Sequence, residues 1–205
     1  MEKLKIIHIS TQNRKLGATI PSINLPAITT CRANAPCKKG CYACKGTFLY
    51  STVQKSMQNN LDIYKTSPKA YFSQIQGYLQ MIPFKHFRYH SSGDIVDMQY
   101  LELMVETAKI CKETKFLCFT KKYEIVNEYL TKHHRLPKNL NIVFSAWGYF
   151  IPENPHNLPM TYVKFGKGES DSLIPQNAVE CSGNCETCFA CWNLQKKQSI
   201  YFNKH

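Results

Sequence analysis

Residues 115–145 read KFLCFTKKYEIVNEYLTKHHRLPKNLNIVFS, and the periodicity of their apolar residues changes twice along the way. KFLCF (115–119) has the character of a strand, Val126, Tyr129, Leu130 and His133 recur at helical spacing over 123–134, and LNIVFS (140–145) is a strand again. Strand, helix and strand within about 30 residues make the unit that joins parallel neighbours in a sheet.

The alternation continues on both sides. HFRYH (86–90) predicts a strand and 97–111 a helix through Leu101, Met104, Val105 and Ala108. Farther upstream, Val53, Met57, Leu61 and Tyr64 mark a helix over 51–65. Ser67 followed by Pro68 starts a second over 67–82, with Phe72, Ile75, Leu79 and Ile82 as its stripe. LKIIHI (4–9), MTYVKF (160–165) and SIYFN (199–203) complete the expected strands. The pattern predicts an α/β fold with a mainly parallel sheet, either open or an incomplete (β/α) barrel. With 205 residues, 43% of them hydrophobic, a single domain over 1–205 is the expectation.

In such folds ligands and catalytic groups collect at the carboxyl ends of the strands. Three expected central strands end in polar residues there: His90, Ser91, Ser92, Gly93 and Asp94 after the first, Thr120, Lys121 and Lys122 after the second, Ser145 and Trp147 after the third. His90, Ser92, Asp94, Thr120, Lys121 and Ser145 are the catalytic candidates, Asp94 or His90 serving as base, and Ser91, Gly93 and Trp147 are the cofactor-binding candidates. The plainer reading is a row of solvated strand ends and helix caps.

Eight of the ten cysteines fall into two groups, Cys31, Cys37, Cys41 and Cys44 in a loop over 31–46, and Cys181, Cys185, Cys188 and Cys191 in a loop over 181–192. Each group supplies four soft anionic donors, the number that completes a tetrahedral zinc or a cubane iron–sulfur cluster. Zinc sites of this kind pair two knuckles across a spacer of about 12–20 residues, and neither group has one. Both hold three closely spaced cysteines, CxxxCxxC and CxxCxxC, which favours iron–sulfur, a 4Fe–4S cluster, over the zinc alternative. Cys111 and Cys118 lie within expected regular elements and read as buried, inert thiols. With one loop after the first expected strand and the other before the last, the two close the fold like a clasp if those strands are neighbours.

Lys and Arg number 26 against 14 Asp and Glu, a formal charge of +12, so an anionic substrate or nucleic acid is the expected partner. No apolar run reaches the ~18 residues of a membrane span, and MEKLKIIHIS is too short in its apolar part for a signal peptide. A cytoplasmic location follows, and in a reducing compartment the clustered cysteines read as ligands rather than disulfides.

CKKGCYACKG (37–46) after a first strand resembles the cluster loop of the radical S-adenosylmethionine superfamily, with SSGD (91–94) where that superfamily carries its glycine-rich cofactor segment. This resemblance implies S-adenosylmethionine as a second cofactor. Nearly the whole chain resembles the gene product 88 family of phages and their bacterial hosts. NRKLG (13–17), SINLPAITTC (22–31), CKKGCYACKG, HSSGD (90–94), FTKK (119–122), FSAW (144–147), CETCFACW (185–192) and a terminal KH (204–205) carry it. The family resemblance implies a phage- or prophage-encoded metal protein, and a ligand set of Cys31, Cys37 and Cys41 with a fourth from the C-terminal group where Cys44 is dispensable. Three functions stay open on this reading: radical chemistry, hydrolysis at a Lewis-acidic cluster iron, and a metal-stapled nucleic-acid-binding protein without catalysis.

Overall fold

The computed structural model describes residues 5–166 and 168–204; the expectations placed on Leu4 and His205 lie outside them. One sheet of eight strands organises the chain. The strands are β1 (Ile9–Ser10), β2 (Ser22–Ile23), β3 (His86–Tyr89), β4 (Lys115–Thr120), β5 (Leu140–Ser145), β6 (Met160–Lys164), β7 (Val179–Glu180) and β8 (Ser199–Asn203). They lie in the order β1-β2-β3-β4-β5-β6-β8-β7, and every pair is parallel except β1 with β2. The expected fold class is therefore present, in its open-sheet form with β1 and β7 as edges.

Four long helices connect these strands: α1 (Ser51–Thr66), α2 (Pro68–Met81), α3 (Met98–Ile110) and α4 (Tyr123–His133). Ser67 caps α2 by accepting from the Ala70 amide, Pro68 pre-sets the first turn, and Asp97 caps α3 through the Tyr100 amide. Two single-turn helices, α5 (Cys185–Cys188) and α6 (Ala190–Asn193), follow near the C-terminus. No helix among the described residues is long and apolar enough to cross a membrane.

From β2 to β6 the strands follow chain order, so each crossover steps the same way. Right-handed crossovers that all step one way put their helices on one face. Alternation along the strands divides the core accordingly: Phe116, Cys118, Ile142 and Phe144 face the helices, together with Tyr71, Phe72 and Tyr100. Leu117 and Val143 face the other side, where they meet Leu16, Ile20, Cys185, Cys191, Trp192 and Ile200. In a closed barrel this second face would be the interior. Here residues 16–20 and the C-terminal cysteine loop cover it.

The first expected strand is the main correction. LKIIHI shrinks to Ile9–Ser10, because the preceding backbone is claimed by helix side chains: Ile7 N–H donates to Gln74 Oε1 (2.9 Å), and Asn60 takes both the N–H (2.7 Å) and the carbonyl (2.9 Å) of His8. Nor do the cysteine loops clasp through adjacent strands, since β1 and β8 are separated by five others in the sheet order.

Candidate functional site

The loop from Asn24 to Tyr50 carries the first four cysteines and contains three short 3-10 turns, Lys38–Gly40, Tyr42–Cys44 and Gly46–Leu49, with Cys37 and Cys41 flanking the first and Cys44 ending the second. Its first part is bound to the HSSGD turn after β3. Asn24 Oδ1 accepts from the amides of Ser91 (2.7 Å) and Ser92 (3.1 Å), Leu25 N–H donates to the Ser92 carbonyl (3.0 Å), and Thr30 Oγ1 accepts from the Asp94 amide (3.1 Å). Gly93 is required by this approach: its φ is +84°, and a Cβ there would stand 2.7 Å from both Leu25 Cβ and Thr30 Oγ1. Arg32, next to Cys31, pairs with Glu124 and lies over the rings of Tyr123 (5.7 Å) and Phe150 (5.2 Å), while the Tyr42 hydroxyl donates to the Ser91 carbonyl. The loop is thus fastened to the carboxyl ends of β3 and β4.

Fastened this way, the thiols of Cys31, Cys37 and Cys41 come within electrostatic reach of one another, and exposed Cys44 adjoins Cys41. Burial pushes the Cys31 thiol up to about 11, helped by the nearby charge of Asp94. Burial also raises Cys37, against the opposing pull of Lys121. As metal-free thiols Cys31 and Cys37 stay protonated at neutral pH, so holding a metal there means releasing protons.

Beside them, Asp94 is fully enclosed. Its carboxylate accepts from Thr120 Oγ1 (2.6 Å), Lys121 N–H (2.8 Å) and Ile95 N–H (2.8 Å), and burial outweighs these bonds, leaving its pKa above the ordinary carboxylate value. Lys121 Nζ donates to Ser145 Oγ at 2.6 Å and lies 5.9 Å from the Trp147 ring centre. Thr120 is buried, its hydroxyl also accepting from Lys122 N–H (2.9 Å). The strand ends therefore bring Asp94, Thr120, Lys121, Ser145 and Trp147 together with the first cysteine group. Ser92 is buried, its hydroxyl donating to the Leu25 carbonyl, the Ser91 amide binds the loop and Gly93 leaves room for it, so all three support the loop. His90 is placed elsewhere: it turns into the core at φ +60°, its Nε2 3.0 Å from the Tyr100 hydroxyl, and burial drives its pKa down to about 3, so it is neutral.

The second group lies on the other face of the sheet. Cys181, Cys185, Cys188 and Cys191 all line one small hollow of about 10 Å³, floored by Trp192 and Ile200. Cys185 N–H donates to the Lys15 carbonyl (3.0 Å), Cys181 N–H to the Tyr201 carbonyl (2.9 Å), and Trp192 Nε1 to the Phe87 carbonyl (3.1 Å). Glu186 reaches back to residues 17–19, accepting from the amides of Ala18 (2.9 Å) and Thr19 (3.0 Å) and from Thr19 Oγ1 (2.9 Å). Gly17, at φ +69°, leaves the room: a Cβ there would overlap the Glu186 carboxyl carbon at 1.6 Å.

A family model for gene product 88 matches residues 5–194. The chain belongs to the gene product 88 family. Comparison with curated proteins and with solved structures yields no match.

Within the family assignment, the quoted motifs take on definite structural duties. NRKLG clamps the C-terminal cysteine loop, and HSSGD and SINLPAITTC clamp the N-terminal one to the sheet edge. Both cysteine groups meet the donor requirement of a four-thiolate centre, and one of them lines a single hollow. Among the described residues, no three His, Cys, Asp or Glu side chains are arranged to hold one metal ion. A single zinc would need sulfurs drawn to about 3.8 Å from each other by 2.3 Å bonds at tetrahedral angles, whereas a multi-iron core spreads its thiolates farther.

Sequence reasoning passed over Arg88, Lys15, Arg32 and Glu186. Arg88 had a signal in HFRYH, where His86 and Arg88 alternate with buried Phe87 and Tyr89 and so share the second face. Glu186 and Arg32 had none, because their partners lie 167 and 92 residues away.

Proposed function

We propose that this protein is an iron–sulfur enzyme whose cluster is held by the N-terminal loop at the carboxyl ends of β2, β3 and β4, and which acts on an anionic substrate. The observation that carries this reading is convergence. Cys31, Cys37 and Cys41, with Cys44 at the rim, are fixed beside Asp94 and the Lys121–Ser145 pair, at the sheet edge where parallel folds place their chemistry.

A cluster bound there by three thiolates would supply an iron with a free position, suited either to S-adenosylmethionine reduction or to Lewis-acid activation of water. The protein's own groups divide the remaining work. Lys121 carries a positive charge toward the loop, felt by Cys37, and its Nζ holds the Ser145 hydroxyl at 2.6 Å. An anionic group entering the edge meets this ammonium and hydroxyl together. Asp94, with its oxygens occupied by Thr120, Lys121 and Ile95, is a positioning residue that locks the β3 and β4 ends and so aims the Lys121 side chain. The net charge of +12 suits attraction of an anion over distance.

Anaerobic purification with iron and sulfide analysis tests the reading. Brown protein whose iron and sulfide fall in Cys37→Ser and Cys41→Ser supports it; colourless protein carrying zinc without sulfide refutes it. Reductive cleavage of S-adenosylmethionine separates the radical branch from the hydrolytic one. Steeply salt-dependent nucleic-acid binding without turnover would replace both with the non-catalytic alternative.

A further inference from the structure

We infer that Cys181, Cys185, Cys188 and Cys191 form a second and separate four-thiolate metal centre on the inner face of the sheet, with Arg88 and Lys15 as its counter-cations. The site is built. All four sulfur-bearing residues line one hollow, and the loop that carries them is held by Glu186 to residues 18–19 and by Trp192 to β3. The chain folds around the hollow through Asn184, which caps α5, and Phe189, whose φ of +50° turns α5 into α6 and presents Cys188 and Cys191 from either side of the bend.

Arg88 supplies an independent observation. It projects from β3 onto this face, its guanidinium 4.7 Å from the Phe119 ring centre, and its Nε is buried with no hydrogen-bond partner. Among the described residues no carboxylate pairs with it; the single ion pair there is Arg32 with Glu124. Arg88 is half-buried, and an Nε shut off from solvent without a partner favours an anion beside it. Its charge acts on Cys185 and Cys191, as does that of Lys15, which lies over the Phe202 ring at 4.5 Å. Four thiolates around a divalent core carry a net charge of about −2, which these two cations would balance.

Separateness rests on placement. Cys181, Cys185, Cys188 and Cys191 line the hollow with no residue of the first group among its walls, while the loop of Cys31, Cys37 and Cys41 is fastened to the HSSGD turn at the carboxyl ends of β3 and β4. Four ligands from one loop saturate the core. This centre therefore has no free position, and it closes the face that a full barrel would close with further strands. Zinc and an iron–sulfur core both satisfy the donor set.

Metal and sulfide per chain, with native mass spectrometry of the anaerobically purified full chain, test the inference. Wild type should carry two centres. Cys185→Ser/Cys191→Ser should lose one and keep the other, Cys37→Ser/Cys41→Ser should do the reverse, and sulfide loss tells a cluster from zinc. Arg88→Met should release the second centre to a chelator at least tenfold faster, with Arg88→Lys restoring part of the retention. A wild-type chain with a single centre that survives Cys185→Ser/Cys191→Ser overturns the inference. A single centre lost in both variants overturns it too, by showing one shared site. A single centre lost only in Cys185→Ser/Cys191→Ser supports this inference and removes the proposed N-terminal cluster instead.

Discussion

Replacing Asp94 by alanine removes one acceptor group and strands three donors. Thr120 Oγ1, Lys121 N–H and Ile95 N–H all point at its carboxylate, at 2.6 to 2.8 Å, in a place closed to water. Each unsatisfied buried donor costs about 1–3 kcal/mol, and part of the Thr120 loss is recovered by hydroxyl rotation, so Asp94→Ala should cost about 3–5 kcal/mol. That is a large share of the ~5–15 kcal/mol a domain of this kind possesses. Asp94→Asn keeps one oxygen for Thr120 and Ile95 but turns an NH2 toward Lys121 N–H, which should cost about 2 kcal/mol. Urea unfolding at constant m reads both, and a cycle with Thr120→Val should return a coupling of about 1–3 kcal/mol. The pH dependence has a fixed sign. Burial raises the folded-state pKa of Asp94 above 3.8, so the folded chain binds the proton more readily than the unfolded one, and this contribution to stability declines as pH rises from 3.8 through the raised value. The gap between wild type and Asp94→Asn should therefore narrow over that window. A loss under about 1 kcal/mol for Asp94→Ala would refute the picture of a carboxylate locking β3 to β4.

Three further outcomes are expected. Gly17→Ala places a Cβ against the Glu186 carboxyl at a φ of +69°, a backbone cost of about 1–2 kcal/mol before the clash, and amide exchange in 185–192 should speed up while the helices stay protected. His90, held neutral with a pKa of about 3 against an ordinary 6.5, takes up fewer protons folded than unfolded between those values; stability should fall as pH is lowered through that window, and His90→Gln should flatten the fall. Lys121→Met removes the charge that favours the Cys37 thiolate, so in metal-free protein alkylation of Cys37 at fixed pH should slow, as read by peptide mass spectrometry.

Periodicity made the large elements legible. LNIVFS and SIYFN are strands over the expected residues, and the four long helices end within two residues of expectation. What periodicity misses is structure too short to repeat: Ser22–Ile23 and Val179–Glu180 span two residues each, and their strand character comes wholly from the neighbours they pair with. The strand-end rule placed Asp94, Thr120, Lys121 and Ser145 correctly on one edge, but it carries no information on which way a side chain turns. His90 follows the same strand and ends beneath the sheet edge, because its positive φ rotates the ring toward Tyr100.

The placement of the glycines explains why the family motifs are longer than the cysteine spacings alone require. In the proposed centres, thiols kept protonated by burial must each give up a proton on binding, and the net cost of assembly is smaller when the loops that carry them are already fixed. Preorganisation therefore has to come from the backbone. At Gly93 it comes from the approach of Leu25 and Thr30, and at Gly17 from the approach of Glu186, each at a positive φ that a side chain would strain. Both glycines stand on segments remote from the cysteines they serve, Gly93 beyond two helices from Cys31 and Gly17 at the opposite end of the chain from Cys185. On the proposal of two metal centres, change at either position should act on metal retention through the clamp, without touching a proposed ligand.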